Sequence, residues 1–506
     1  MKDKIGNIFM NIIAYILVAA LTLIVSTGLI YNSNVIFRFN QVILIICVIV
    51  YLAFIILLYK KVLPWIEKIK CIEYLFFVIF IFLAIFSGLY FKVKATWDMG
   101  NVFNIAERYL NVRSIKESVY LATFPNNTMQ ALIEIAILVL SNAVGITDNV
   151  TVITMFNAIC VSLAVILSYY VANKMFGRKN ALMHIILCAL TSPLFLYSAI
   201  YYTDTFSLPV GVGILLLWLV IRDKEKSLTK LILNILLGLL VFLGIKIKVL
   251  SIFIFIAIVV YELFVGKRKD MLKSLCLVLP IVLVLIVLFN MCITNKITSK
   301  ELSNKAKMPV EHWVMMGLNG NGNWNFGDYV YSLKYRDYDT RQEKVREEIG
   351  RRIASKSFLS HAKRLYSKMT FVWHDGTYWV PIKLAKGMLN HGTLHEIVLE
   401  NGKYVNVYKY IPQAMHFGML IYIIIAIIKS INNKDMNNIH NILVITVFGM
   451  FIFMLIWETR SRFLLNILLF MLILSVNGIE YLSEIVNMDK LKNIKKKRVK
   501  KNKAKS

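Results

Sequence analysis

The hydrophobic residues of this chain come in unbroken blocks, and the length of those blocks limits its fold more than any other feature. Twelve apolar stretches fall at about 8–31, 42–59, 72–91, 151–173, 180–200, 206–221, 231–245, 249–265, 274–293, 413–428, 439–457 and 463–482. A helix rises about 1.5 Å per residue and needs ~20 apolar residues to cross the hydrocarbon core of a bilayer. The pattern predicts an all-α polytopic membrane protein with about 12 transmembrane helices. Only 17% of the residues are charged, against roughly a quarter in soluble domains, which excludes a string of soluble domains.

Orientation follows from lysine and arginine in the short loops. Lys2 and Lys4 precede the first stretch, and Lys60, Lys61, Lys68 and Lys70 follow the second. Basic groups also follow the fourth (Lys174, Arg178, Lys179), the sixth (Arg222, Lys224, Lys226, Lys230) and the eighth (Lys267, Arg268, Lys269, Lys273). The tail KLKNIKKKRVKKNKAKS follows the twelfth. An alternating path sets all of them on one side, with both termini cytoplasmic in a plasma membrane. The net charge of +29 is thereby explained without nucleic acid. Residues 129–146, with Glu134 and Asn142, are long enough to raise the possibility of another crossing, but that would move the Lys174 and Lys267 groups outside. A helix lying on the outer surface fits better. The six cysteines lie in or beside apolar segments and form no CxxC pair, so neither a disulfide framework nor a zinc knot is expected.

Five regions result: two accessory spans (1–71), a membrane module with an external acidic loop at 92–150 (72–293), a large extracytoplasmic loop (294–412), three final spans (413–482) and a basic cytoplasmic tail (483–506). The large loop lies between the ninth and tenth spans and reads as mixed α/β. Residues 340–372 look helical, and EIVLENGKYVNVY alternates about Asn401-Gly402, a β-hairpin signal.

Charged residues at the outer ends of the spans are the candidates for chemistry. Asp98, after Trp97 in ATWDMGNVFNIAERY, follows the third span, and Asp204, in YYTDTFSLP, precedes the sixth. Each is either a solvated loop acid or a partly buried carboxylate fit to act as a general base. Lys246 and Lys248 in GIKIK sit against the positive-inside trend. They either snorkel to the interface or meet a phosphate. Glu458, Arg460 and Arg462 crowd into WETRSRF. Such charges beside apolar spans form a structural pair or clamp an anion.

In the large loop, MPVEHWVMMGLNGNGNWNFGDY carries His312, Trp313, Trp324 and Asp328, and FVWHDGTYWV carries His374 and Asp375. Aromatic rings beside amides and acids suit sugar binding, and ordinary loop packing is the alternative. Five of the eight histidines lie in this loop, including His391-x-x-x-His395. No HExxH accompanies them, so no metal ligand is assigned, and a divalent cation stays open as a cofactor.

These elements in this order resemble the GT-C integral membrane glycosyltransferases, specifically glycosyltransferase family 39 and the aminoarabinose transferases of lipid A. The shared features run over residues 72–482: an external acid just after a span, a basic turn like NKMFGRKN, a second external acid after TSPLFLYSAIYY, a glycine-lysine element, a long external loop and a late Glu/Arg corner. Two features differ. Two spans precede the module, and Asp98 is followed by Met99 rather than by the glutamate of protein mannosyltransferases. The resemblance implies a GT-C-like fold and an inverting transfer of sugar from a polyprenyl-phosphate donor to an extracytoplasmic acceptor: cell-wall polymer, glycolipid or protein. By the same resemblance Asp98 is the general base and Asp204 orients the acceptor or shares that role. Lys246, Lys248, Glu458, Arg460 and Arg462 serve the lipid phosphate, within a membrane-lipid setting.

Two other activities compete. A polysaccharide polymerase or ligase also has a large outer loop and arginines, but would lack the early Trp-Asp element. A lipid-linked sugar flippase or transporter would carry its ionisable groups near the midplane of broken helices, whereas here they cluster at span ends.

Overall fold

The apolar blocks become helices because lipid offers no partner to a bare backbone amide. The structure is a computed structural model that describes residues 2–503 except 32, 33, 35, 95, 225 and 435–437. The last three residues of the basic tail, 504–506, therefore lie outside the described residues, as do the side chains of Lys2 and Lys4. Among the described residues nine helices are long and apolar enough to cross a membrane: Ile5–Ile30, Gln41–Ile66, Ile72–Tyr90, Asn149–Phe176, Thr203–Asp223, Ser227–Ile247, Arg268–Ile297, Val405–Asn432 and Ser461–Ile485. A tenth is formed if Arg178–Leu190 and Ser192–Ala199, bent by 64°, are one broken span. Val249–Phe264 and Asn441–Ile456 are shorter apolar helices at the positions of the eighth and eleventh predicted spans.

Burial sorts the helices into layers. The apolar stretch of Ser461–Ile485 is 94% buried and that of Thr203–Asp223 72%, whereas that of Arg268–Ile297 is 11% buried. The first two form the centre, and the last faces outward. The bend in the broken span frees carbonyls that lipid cannot satisfy. The end of its second half likewise leaves carbonyls, and Asn157 meets two of them, donating from Nδ2 to the Tyr197 and Ser198 oxygens at 2.9 Å each.

The predicted basic loops meet at one end of the bundle. Arg178 reaches the Glu67 and Ile69 carbonyls and pairs with Glu73 at 2.9 Å. Lys174 pairs with Asp223 at 2.5 Å and Arg222 with Glu262 at 3.3 Å. The loops that follow the second, fourth and sixth predicted spans are thus linked in series to the end of the eighth.

Residues 128–143 form one helix, Thr128–Ala143. At roughly 24 Å it is short for a crossing, and it packs on Trp97–Val112.

The large loop corrects the mixed α/β expectation. It is built of helices, among them Glu311–Gly317, Tyr338–Ala354 and Phe358–Trp373, and the described residues contain no strand, only a lone antiparallel bridge between Val93 and Met388. The predicted hairpin is two short helices, Thr393–Val398 and Val405–Tyr408, joined through Asn401-Gly402. The turn is real: the Gly402 amide donates to the Leu399 oxygen at 2.9 Å. An isolated two-stranded ribbon is marginal without a third strand or a sheet to join, and here the same residues pack as helices against their neighbours.

Candidate functional site

At the end of the bundle opposite the basic loops, several span termini converge. The first acid is set by the linker that leaves Ile72–Tyr90. Lys94 donates its amide to the Gly387 oxygen at 2.6 Å, and Leu389 donates to the Lys92 oxygen at 3.1 Å. Gly387 has φ +81°, and a Cβ there would stand 2.1 Å from the Lys94 oxygen, so the contact needs glycine. Helix Trp97–Val112 then begins, with Asp98 in its first turn, where the helix dipole favours a carboxylate. The side chain of Asp98 accepts a hydrogen bond from the Tyr120 hydroxyl, which in turn accepts one from Asn127 Nδ2 at 2.7 Å. Burial and the neighbouring Asp98 and Tyr202 hold the Tyr120 phenol far above its ordinary range.

The second acid is enclosed. Asp204 opens the central span Thr203–Asp223 and is 2% exposed. Its Oδ1 lies 2.5 Å from Lys248 Nζ and its Oδ2 3.7 Å from Arg462 Nη1, with Asn466 Nδ2 at 3.4 Å. A carboxylate without water is sustained only by such partners. Asp98 lies within electrostatic reach of Arg462, Arg460, Glu458 and Tyr202. The two acids predicted to share a site therefore open on one cluster.

The Glu/Arg corner is held by residues of the large loop. After Asn441–Ile456 the chain runs extended, and each residue of Trp457, Thr459 and Ser461 is pinned. Lys368 Nζ donates to the Trp457 oxygen at 2.8 Å. The Thr459 amide donates to the Gly322 oxygen at 2.8 Å, and its hydroxyl to the Asn321 oxygen at 2.7 Å. The Ser461 hydroxyl donates to Asp375 Oδ2 at 2.5 Å. Glu458 and Arg460, held between these points, pair with each other at 3.3 Å. Burial raises the Glu458 carboxyl above its usual range, opposed by Arg460 and Arg462.

The remaining predicted residues divide. Trp97 joins the cluster. Asp375 supports it from behind: besides Ser461, it accepts from the Thr377 amide and hydroxyl and from the Trp379 amide. This holds Trp379 at φ +67° with the Arg460 guanidinium 4.8 Å from its ring centre. His374 is buried beside the first helix, its Nε2 2.9 Å from the Ile24 oxygen, and burial lowers its imidazole to about 4. His312 meets the Ser332 hydroxyl at 2.8 Å, and Asp328 is in an ion pair with Arg352 at 2.6 Å. Both sit in the packing of the large loop. Trp313 and Trp324 belong to an aromatic surface there, with Phe124 and Tyr329 at centroid separations of 6.2 to 6.4 Å. Lys246 meets Asn290 at 3.0 Å and the Phe289 ring at 4.5 Å, on a contact between spans.

One cation was not anticipated. Lys383, in the short helix Val380–Ala385, puts its Nζ 3.6 Å from the centre of the Trp97 ring, close to Arg460, Arg462 and Asp98. Its segment, VPIKLAKG, has no motif to mark it. Tyr120 and Asn127, in the polar stretch KESVYLATFPNNT, and Asn466, a lone polar residue in FLLNILLF, were likewise unmarked. Among the described residues no group of three or more His, Cys, Asp or Glu is placed to hold a metal ion. Asp204 and Glu458 already face lysine or arginine, a donor set that does not fit a resident divalent cation. A narrow cleft lies elsewhere, lined by Tyr51, Pro193, Tyr378, His416, Met419 and Leu472 among others.

A family model described as a conserved hypothetical integral membrane protein matches residues 1–481. The chain belongs to that family. The match takes in every span and the whole charged cluster, and its description gives the membrane but no activity. Searches of curated proteins and of solved structures find no similar chain.

Proposed function

We propose that the protein is an inverting glycosyltransferase that moves a sugar from a polyprenyl-phosphate carrier to an extracytoplasmic acceptor. The observation that supports this best is the convergence of Asp98 with the Asp204–Lys248–Arg462 and Glu458–Arg460 pairs, from span ends far apart in sequence. A partly exposed acid beside a cationic wall is what such a transfer needs. The acceptor hydroxyl gives its proton to the Asp98 carboxylate, and its oxygen forms the new bond to the anomeric carbon. The bond from that carbon to the phosphate oxygen breaks, and the phosphate leaves with the electron pair, gaining one negative charge. Base catalysis of this kind is worth ~10²–10⁴-fold, and prearranged cations lower the cost of the developing charge. Asp204, saturated by Lys248 and Arg462, serves to hold those cations. No nucleotide is required, which suits a site at a bilayer rim where the lipid tail stays in the membrane. In this reading twelve crossings set both termini in the cytoplasm and the cluster outside.

Membranes carrying the protein, supplied with labelled polyprenyl-phosphate sugar, should transfer label to an acceptor, and Asp98→Asn should not. Equal transfer by both would remove Asp98 from its role, and export of intact lipid-linked sugar without transfer would make the protein a flippase. A tag at residue 330 should be accessible from outside, and one at the C-terminus should not.

A further inference from the structure

The cations of the cluster are not equivalent. Lys248 is matched to Asp204 at 2.5 Å, Arg462 shares that acid at 3.7 Å, and Arg460 is matched to Glu458 at 3.3 Å. Lys383 is 6% exposed, and its ammonium makes no ion pair or hydrogen bond with the described residues. Its one close partner is the face of Trp97, with Nζ 3.6 Å from the ring centre. A ring face is a modest partner for an ammonium compared with a charged oxygen. A buried amine beside two arginines, with no carboxylate of its own, has its charge completed only by an anion from outside.

We propose that Lys383 is the receptor for the phosphate of the lipid carrier, closing a cationic cradle with Arg460, Arg462 and Lys248. The inference rests on the glycosyl-transfer reading for the carrier but on the geometry alone for the anion. Cleavage turns the carrier from a phosphodiester into a monoester with a second negative charge, and the cation free to meet that charge is Lys383. The lysine is also the adjustable member of the set. Burial, Arg462, Arg460 and Lys386 push its amine down to about 6, against the opposing pull of Asp98. An arriving phosphate reverses that balance, so the amine takes up a proton as the anion binds. Arginine has no such freedom.

The contact with Trp97 would otherwise be a brace between two short segments, and binding measurements separate the two roles. The full chain in lipid nanodiscs is titrated with a polyprenyl monophosphate, the matching polyprenol and inorganic phosphate. At pH 6, Lys383→Met is expected to weaken the lipid phosphate about tenfold or more, to leave polyprenol unchanged, and Lys383→Arg to stay within about threefold of the native chain. Unchanged phosphate binding by Lys383→Met, or equal losses for phosphate and polyprenol, would overturn the proposal. Inorganic phosphate binding as tightly as the lipid would overturn the choice of carrier. A second readout needs only the folded native chain and Lys383→Arg. The arginine variant carries the ligand's own ionisation, so the difference between the two profiles isolates the lysine. Above a pH of about 6 the native affinity should fall relative to the variant, because the free amine must first gain a proton; a difference independent of pH would count against the proposal. Lysine-dependent phosphate binding without sugar transfer would sink the glycosyl reading alone. Transfer with normal phosphate binding by Lys383→Met would sink this inference alone.

Discussion

The two ends of the bundle handle charge in opposite ways. At the end carrying the basic loops, each of four acids faces a single base: Glu73 meets Arg178, Asp223 Lys174, Glu262 Arg222 and Glu480 Lys429. Several of these groups are well exposed, and the pairs join neighbouring loops. At the other end one buried acid, Asp204, serves two cations, and Lys383 has none. Exposed pairs contribute little and can be lost cheaply, whereas buried unmatched charge costs several kcal/mol unless something completes it. The first end therefore has the character of fastening, and the second that of a site.

Substitutions at the two ends should separate in the same way. The largest effect is expected from Asp98→Asn, with transfer falling ~10²–10⁴-fold and thermal stability in detergent nearly unchanged; a matched loss of stability would move Asp98 into the fastening class. Next is Asp204→Asn, which strands Lys248 and Arg462. Breaking a buried pair from one side costs about 3–5 kcal/mol, to be read as a large fall in Tm together with loss of activity. A smaller effect is expected at Gly322, at φ +79°, where a Cβ would stand 2.8 Å from Thr459 Oγ1. Gly322→Ala should cost about 1–3 kcal/mol and lower kcat by loosening the corner that carries Arg460. The smallest belongs to the other end: Asp223→Asn removes an exposed pair and should shift stability by about 0–1 kcal/mol with transfer untouched. A large loss there would erase the contrast.

What could be read from the sequence follows the same physics. Span positions were legible because lipid imposes length and polarity on each block, and all twelve blocks correspond to helices, bent or short ones included. Asp98, Asp204, Lys248, Arg460 and Arg462 stood out because charge at the end of an apolar run is costly. Lys383 did not, since a lysine in a short amphipathic stretch looks like any snorkelling residue until the fold brings Trp97 over it. His312 and Asp328 drew notice for their chemistry, yet Ser332 and Arg352 occupy them, partners no spacing rule indicates. The alternation around Asn401-Gly402 misled because a turn signal says where the chain reverses and not what flanks it.

The backbone bridge between residues 92–94 and 387–389 has a mechanical consequence. It rivets the acid's helix to the segment bearing the lone lysine, so those two groups travel as one jaw. That segment begins at Trp379, whose ring carries the Arg460 guanidinium at 4.8 Å, so the corner is fastened to the jaw as well, and a shift of any one of the three would carry the other two with it.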